Sequence, residues 1–597
     1  MPVPRTLGLL PFVQVIARAE ALGSGQGLPV VIALYTAWIA AQHHTEPNLF
    51  AAWFNVGAEL SQAGALAEAM GAYRHALRHK PDFHGAAVNL GLLLERQGQP
   101  DAALQVWTQA IQPDEARVAL LNQRARILEQ AGRLDEASEN LRQSLLTQSE
   151  QPDALQHWLH LRQRMCQWPV LAEIIPDLSA ARLFSQSGPL AALALTDDIA
   201  SQAATAAAWI ERKLPPAPNR LAPEAGYAHE RIRVGYLSSD FCSHAMSYLI
   251  AELFERHDRT RFEVFGYCSS PEDGSEIRVR VMAAFDHVAR IRNLTDAEAA
   301  RQMRQDEIDI LIDLNGLTSG ARLGILRHRP APVQATYLGF IGPVPLPELD
   351  FMLCDAFVVP PGSAALYQPK PLYIGGLYQA NDSKRVIDAA PTRGEAGLPD
   401  AGFVFCCFSN HYKVTEAMFT AWLDILRQVE GSVMWLAEDN TWSRQNLRVR
   451  ALGGGIDPTR LLFAPRVAPQ AYMARMALAD LFLDTFPYNA GTVASDAMRM
   501  GLPLLTQAGN AFASRMAARL LHAIGAEAGI ASTREEYVAK ATMLGNDPAT
   551  YAAYKGCFTT DAWNATIGDI EGFTRRFEAA MTSVCLQPTK STQTETI

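Results

Sequence analysis

The stretch AAWFNVGAELSQAGALAEAMGAYRHALRHKP, residues 51–81, decides how the first quarter of the chain is read, because its pattern returns. Asn55 recurs as Asn89, Gly57 as Gly91 and Ala76 as Ala110. Tyr73 becomes Trp107 and then Leu141, while Ala69 recurs as Ala103 and Ala137. Gly64 recurs as Gly98 and Gly132, and Pro47 as Pro81; every step is 34 residues. Such a period marks a unit that cannot bury its apolar face alone and must stack on its neighbours. The small residues fit where two helices cross closely, and the large apolar ones fill the space between pairs. Gly64, Gly98 and Gly132 end the first helix of each pair, and the prolines stop the second.

This pattern resembles the tetratricopeptide repeat. It predicts three helix pairs, preceded by a degenerate fourth whose second helix spans 30–43, within a repeat domain over residues 1–150. Stacked pairs form a superhelix whose extended surface suits a peptide or protein, although repeats can also serve only to brace a fold. Residues 151–228 read as a helical linker region, ending in the proline-rich LPPAPNRLAPEAG.

Beyond the linker the period changes. Short apolar runs at 233–237, 262–267, 309–313 and 333–337 alternate with helical segments such as 296–305. The theme repeats at 403–408, 432–436, 461–464, 480–483 and 502–506, with a helix over 415–428. Strands alternating with helices predict parallel sheets covered on both faces. The expected fold is therefore α plus α/β: a repeat superhelix followed by two Rossmann-like domains, at 229–392 and 393–597, with a disordered tail from about 587. Ligands of such sheets sit beyond the carboxyl ends of the strands.

Four segments lie at those ends. Leu237-Ser-Ser-Asp-Phe-Cys-Ser-His244 follows the first strand; His244 can exchange a proton with a ligand or hydrogen-bond it, or else cap the next helix. Asp313-Leu-Asn-Gly-Leu-Thr318 forms a tight turn, and Arg329-Pro-Ala-Pro-Val-Gln334 follows it. Cys406-Cys-Phe-Ser-Asn-His-Tyr-Lys413 puts Lys413 where a strand gives way to a helix, a place suited to phosphate. Leu483-Asp-Thr-Phe-Pro-Tyr-Asn-Ala-Gly-Thr-Val-Ala-Ser-Asp496 has the strand, turn and helix start of an anion site. There Gly491 permits close backbone approach and Thr492 adds a hydroxyl. Asp496 can reach a ribose hydroxyl, or serve only as a first-turn carboxylate.

These segments together resemble the protein O-GlcNAc transferase and Spindly family, which joins tetratricopeptide repeats to a GT-B core. The resemblance covers the chain to about residue 580. It implies an inverting glycosyltransferase moving a sugar, by default GlcNAc from UDP-GlcNAc, onto Ser or Thr of a protein acceptor held by the repeats. It makes His244 the active-site histidine and Lys413 the holder of the donor diphosphate. It adds Thr492 and Asp496 as phosphate and ribose contacts, places Pro343 near the sugar-pocket loop, and associates His411, Tyr472, Gly491 and Val493 with the donor. Departures from the family pattern, among them Gly491-Thr492-Val493 and His244-Ala245, leave GDP-fucose, UDP-glucose or a nonulosonic acid for flagellin as other donors. A repeat scaffold with an inactive core is the rival from another class.

Composition narrows the partners. With 52 Lys and Arg against 62 Asp and Glu, the net charge is -10, which argues against nucleic acid as a partner. No D-x-D triplet occurs, so the acidic clamp for a metal on a sugar diphosphate is missing; no metal and no separate cofactor are expected. Eight cysteines without a CxxC pair fit a reducing compartment. The early apolar run 28–41 is too short to span a bilayer, and the N-terminus lacks a charged segment before a cleavage site. A cytoplasmic protein without membrane association is expected.

Overall fold

The computed structural model describes residues 10–23, 27–111 and 117–585. The chain folds into two compact units: 1–161 with 173–179, and 162–172 with 180–597.

The first unit is a run of antiparallel helix pairs: Phe12–Leu22 with Leu28–Ala40, Leu49–Gln62 with Leu66–His79, His84–Arg96 with Pro100–Ala110, and Arg117–Gln130 with Leu134–Thr147. The 34-residue period has a steric cause. A Cβ on Gly57 would stand 2.7 Å from the Tyr73 ring, and one on Gly91 would fall within the Trp107 indole. Trp107 is wholly buried and donates to Ala87 O at 2.9 Å. One period later the pair is Ala125 and Leu141: the smaller Leu admits the extra methyl. Gly64, Gly98 and Gly132 take φ of 77°, 74° and 74°, and each is followed by a bond back to the preceding helix, as in Ala65 N to Leu60 O at 2.9 Å. Only glycine adopts that left-handed cap cheaply.

The second unit holds two wholly parallel sheets. The first contains β1 (Ile232–Ser238), β2 (Phe262–Cys268), β3 (His287–Arg290), β4 (Ile310–Asp313), β5 (Val333–Thr336), β6 (Phe351–Cys354) and β7 (Lys370–Tyr373), in the order β3-β2-β1-β4-β5-β6-β7. The second contains β8 (Val404–Cys407), β9 (Val433–Ala437), β10 (Leu461–Ala464), β11 (Leu481–Leu483), β12 (Leu504–Gln507) and β13 (Ile530–Ala531), in the order β10-β9-β8-β11-β12-β13. The central strands are buried on both faces, as crossover helices require. Strand order reverses between β1 and β4 and between β8 and β11, so each sheet opens a crevice at those carboxyl ends. The two Rossmann-like domains of the sequence reading are present.

Their borders differ from the expected ones. The helix Ile570–Cys585 does not stay with the second sheet. Ile570, Phe573, Phe577 and Met581 join Val234, Tyr236 and Phe262 in the core of the first. Glu578 accepts from Asp258 N (2.9 Å) and bonds His257 Nδ1 (3.0 Å), while His257 Nε2 meets Tyr236 OH at 2.7 Å, all three side chains being buried. Residues 162–172 and 180–213 are not a free linker either. Asn440 Nδ2 donates to Arg164 O and Asn446 Nδ2 to Met165 O, both at 2.8 Å. Asp197 accepts from the amides of Asn510 (2.7 Å) and Ala511 (3.0 Å). The tail expected from about 587 lies outside the described residues.

Candidate active site

The second sheet builds an anion-binding corner at its reversal point. β8 ends in a 3-10 turn, His411–Lys413, before the helix Glu416–Gln428, which Thr415 caps. β11 is followed at once by Asp484, which is wholly buried and ties down the loop beyond it. Its Oδ1 accepts from the amides of Thr485 and Ala490, both at 2.8 Å, and its Oδ2 from Thr506 Oγ1 at 2.7 Å. The loop thus delivers Gly491 to the start of the helix Thr492–Arg499. The first intrahelical bond there runs from Ser495 N to Gly491 O at 3.0 Å, so the amides of Thr492, Val493 and Ala494 precede the ladder. Their orientation and the helix dipole favour an anion.

Lys413 supplies the charge. Its Nζ lies 3.6 Å above the Tyr488 ring and donates to Asn489 O at 3.1 Å, two residues before Gly491. Burial pushes its pKa down to about 8, with Asp484 opposing the shift. Burial pushes the Asp484 carboxyl up to about 7, opposed by its hydrogen bonds and by Lys413. The lysine is therefore a cation at neutral pH, held by an aromatic face and a backbone oxygen.

The other donor-side expectations are placed as follows. Asp496 is buried one turn into the helix, where its carboxylate is ion-paired with Arg385; burial raises its pKa. Tyr472 is half-buried, its ring meeting Phe408 edge-on at 6.1 Å with the Arg475 guanidinium 5.1 Å from it. His411, expected beside the donor, shares the 3-10 turn with Lys413. It is wholly buried, its Nδ1 bonded to Ser443 Oγ at 2.7 Å and its amide to Asp439 at 3.0 Å. In a 3-10 turn residues two apart differ in direction by about a third of a turn, so Lys413 reaches Asn489 while His411 packs on Ser443.

The first sheet presents its own crevice between β1 and β4. Asn315 Nδ2 donates to Asp240 Oδ2 at 2.7 Å and its Oδ1 accepts from Ser239 N at 2.9 Å, which locks the two strand ends together. Asp313 is buried beneath them, accepts from the Gly316 amide at 2.6 Å, and is pushed up to about 6 by burial. His244 caps the helix Ala245–Arg256: its Nδ1 accepts from Met246 N at 3.3 Å and lies 3.7 Å from Asp240 Oδ2, with half of the side chain exposed. A neutral imidazole that accepts at Nδ1 carries its proton on Nε2, so in this arrangement its free nitrogen donates. Pro343 is buried in the loop after β5.

Sequence reasoning passed over the segment that follows β7. Tyr378, Gln379, Asn381 and Arg385 reach from the first domain to the second. Asn381 Oδ1 accepts from Ser495 Oγ at 2.6 Å, and Arg385 pairs with Asp496. A cavity of about 400 Å³ opens beside it, lined by Tyr248, Arg280, Asp382, Arg385 and Gln470. Asp484 was also missed, although an acid directly after a strand at the reversal point was a usable signal.

Comparison with known proteins supports the fold. A solved Thermobaculum terrenum O-GlcNAc transferase variant superposes with a TM-score of 0.65 over 90% of this chain and 97% of its own, at 24% identity. A probable UDP-N-acetylglucosamine–peptide N-acetylglucosaminyltransferase, SEC, of Arabidopsis thaliana is 34% identical over 340 residues, 56% of this chain and 35% of that protein. The Caenorhabditis elegans UDP-N-acetylglucosamine–peptide N-acetylglucosaminyltransferase is 26% identical over 462 residues, covering 58% and 40%. The chain thus spans little more than a third of the length of these relatives. The family model covers residues 212–389 and 381–576, which takes in both sheets and every site residue named above, and on that match the chain belongs to glycosyl transferase family 41.

Proposed function

We propose that the protein transfers a sugar from a nucleotide-sugar donor to a protein acceptor, with GlcNAc from UDP-GlcNAc onto Ser or Thr as the first candidate reaction and no metal required. The observation that carries this reading is Lys413, a cation at neutral pH, bonded to Asn489 O three residues before the amides of a helix start at the reversal point of a parallel sheet. In the reaction an acceptor hydroxyl oxygen attacks the anomeric carbon, the bond to the diphosphate oxygen breaks, and the hydroxyl proton is released to water or to the departing diphosphate. Charge grows on the leaving diphosphate, where Lys413 and the amides of Thr492 and Val493 stabilise it. His244, with its outward nitrogen carrying a proton, suits a donor hydrogen bond to the ligand rather than removal of the acceptor proton. The names of the Arabidopsis and Caenorhabditis relatives support UDP-GlcNAc as donor and a peptide as acceptor. The repeat unit supports a protein acceptor, since an extended stack offers binding area outside the reacting groups.

The test has two parts. Purified protein is titrated with UDP, GDP and CMP, and host proteins are compared by mass spectrometry with and without the chain. Binding of UDP together with a chain-dependent mass increase equal to one N-acetylhexosamine supports the reading; no binding of any of the three nucleotides would return the protein to the class of scaffolds.

A further inference from the structure

Gln379 lies on the segment that leaves β7 and crosses to the second domain, and it is only 2% exposed. Its Nε2 donates to Asn381 Oδ1 at 3.0 Å, and Asn381 Nδ2 returns a bond to Gln379 O at 3.0 Å. Asn381 Oδ1 also accepts from Ser495 Oγ, at 2.6 Å, on the helix Thr492–Arg499. An amide oxygen that takes the Gln379 NH₂ fixes which end of Gln379 faces it, so the Gln379 oxygen, Oε1, must face away. That oxygen lies 3.4 Å from the place a Cβ on Gly491 would occupy. It makes no hydrogen bond among the described residues, and it is not one of the sealed-off polar atoms such as Asn489 Oδ1. An oriented acceptor, held by two residues and left unpartnered beside a helix start, is placed to take a donor from a ligand.

The diphosphate does not satisfy it, because its oxygens only accept, and two facing acceptors repel. Lys413 and the amides of Thr492 and Val493 are the donors suited to those oxygens. Hydroxyls flank a nucleotide sugar's diphosphate on both sides. On the ribose side Asp496, one turn into the helix, has its Oδ1 held by Arg385 and its second carboxylate oxygen left as an acceptor. We propose, resting on the transferase reading above, that Gln379 Oε1 accepts a hydrogen bond from a hydroxyl of the donor's sugar, making Gln379 a sugar-reading residue that the first domain sets against the binding helix of the second.

Gln379→Met keeps the length and volume of the side chain and removes the acceptor. Calorimetric titration of the full-length wild type and of this variant with UDP and with UDP-GlcNAc separates the possibilities, because both ligands carry the ribose and only one carries the sugar. The expected result is an unchanged Kd for UDP and a Kd for UDP-GlcNAc raised about tenfold, the scale of one lost hydrogen bond that leaves a ligand hydroxyl unpaired. Equal weakening of both ligands, or of neither, would overturn the assignment. Wild-type protein that binds neither ligand would instead sink the transferase reading, a failure seen before the variant is examined. Should Gln379→Met not fold, a crystal structure of the wild type with UDP-GlcNAc decides the matter. Oε1 within about 3.2 Å of a sugar hydroxyl supports the assignment, and an amide turned away from the sugar refutes it.

Discussion

Lys413 has a pKa of about 8, pushed down by burial, and this makes its role testable by pH alone. Because its folded value is depressed, the lysine is charged below pH 8 and loses its charge as the pH rises through that value. The charged share falls from about 0.9 at pH 7 to about 0.1 at pH 9, a factor of about ten, as for any single site with that pKa. A bound diphosphate favours the charged form and raises the pKa of the complex, so the whole factor appears in the affinity of the free enzyme. UDP-GlcNAc suits the measurement, because its diphosphate is esterified at both ends and does not itself titrate in this window. Calorimetry should find its Kd rising about tenfold from pH 7 to pH 9. Lys413→Ala should bind more weakly at pH 7 and lose that slope. Turnover should fall by about two to three orders of magnitude in the same variant, the usual scale for a group that stabilises developing charge. A flat wild-type profile, a slope that survives in the variant, or near wild-type turnover without Lys413 would each refute the assignment.

Other expectations are briefer. Activity should persist in excess EDTA, since the diphosphate is matched by Lys413 and helix amides; a strict requirement for Mn²⁺ or Mg²⁺ would show that the corner is misread. The Asp484 carboxyl is raised to about 7, above an unfolded value near 4, so its protonation adds stability at low pH that is lost as the pH rises through 7. Thermal melts of Asp484→Asn should therefore fall less between pH 5 and pH 8 than those of the wild type. Glu578→Leu leaves His257 and the Asp258 amide without their acceptor, and denaturant unfolding should register a loss of about 3 kcal/mol; an unchanged midpoint would mean the C-terminal helix is held by its apolar face alone. A chain beginning at Arg162 removes most of the repeat unit, and should lose modification of a full protein acceptor while keeping hydrolysis of the donor; equal losses of both would mean the repeats only brace the fold.

The parts of the fold that could be read in the sequence are those in which one physical requirement fixes the residue type. Gly91 must be glycine because the Trp107 indole occupies the space of its Cβ, and the 34-residue step repeats that constraint at Gly57 and Tyr73. The inner strands β1, β2, β4, β5, β8, β9, β11 and β12, and the edge strand β10, stand out as apolar runs because helices cover both faces of their sheets. The strands that went unread are mostly short or exposed: β3 and β7 are sheet edges with exposed ends, and β13 has two residues. β3 ends in Arg290 and β7 begins with Lys370 and Pro371, residues that blunt an edge, so both lack the hydrophobic signature. β6 lies between neighbours but has only four residues, among turns that hide it.

The site divides in the same way. Lys413, Gly491 and Thr492 were legible because anion binding at the end of a parallel strand needs a cation and a helix start in one local stretch of chain. His411 belonged to the same stretch, and only the turn's geometry separates it from Lys413: one residue faces the crevice while its neighbour two positions earlier is sealed against Ser443. Composition cannot distinguish those directions. Gln379, Asn381 and Arg385 were hidden for a different reason. Their partners Gly491, Ser495 and Asp496 lie more than a hundred residues away, and no period or motif links them. A crossover that leaves one sheet and touches the binding helix of the next acquires its chemistry from that contact. Each of its polar residues is fitted to one neighbour on the helix rather than to a pattern along its own chain. Residues of that kind are where two proteins with the same strands, the same lysine and the same helix start can differ in the sugar they accept, which is why Gln379 rather than Lys413 is the position whose replacement should separate UDP from UDP-GlcNAc.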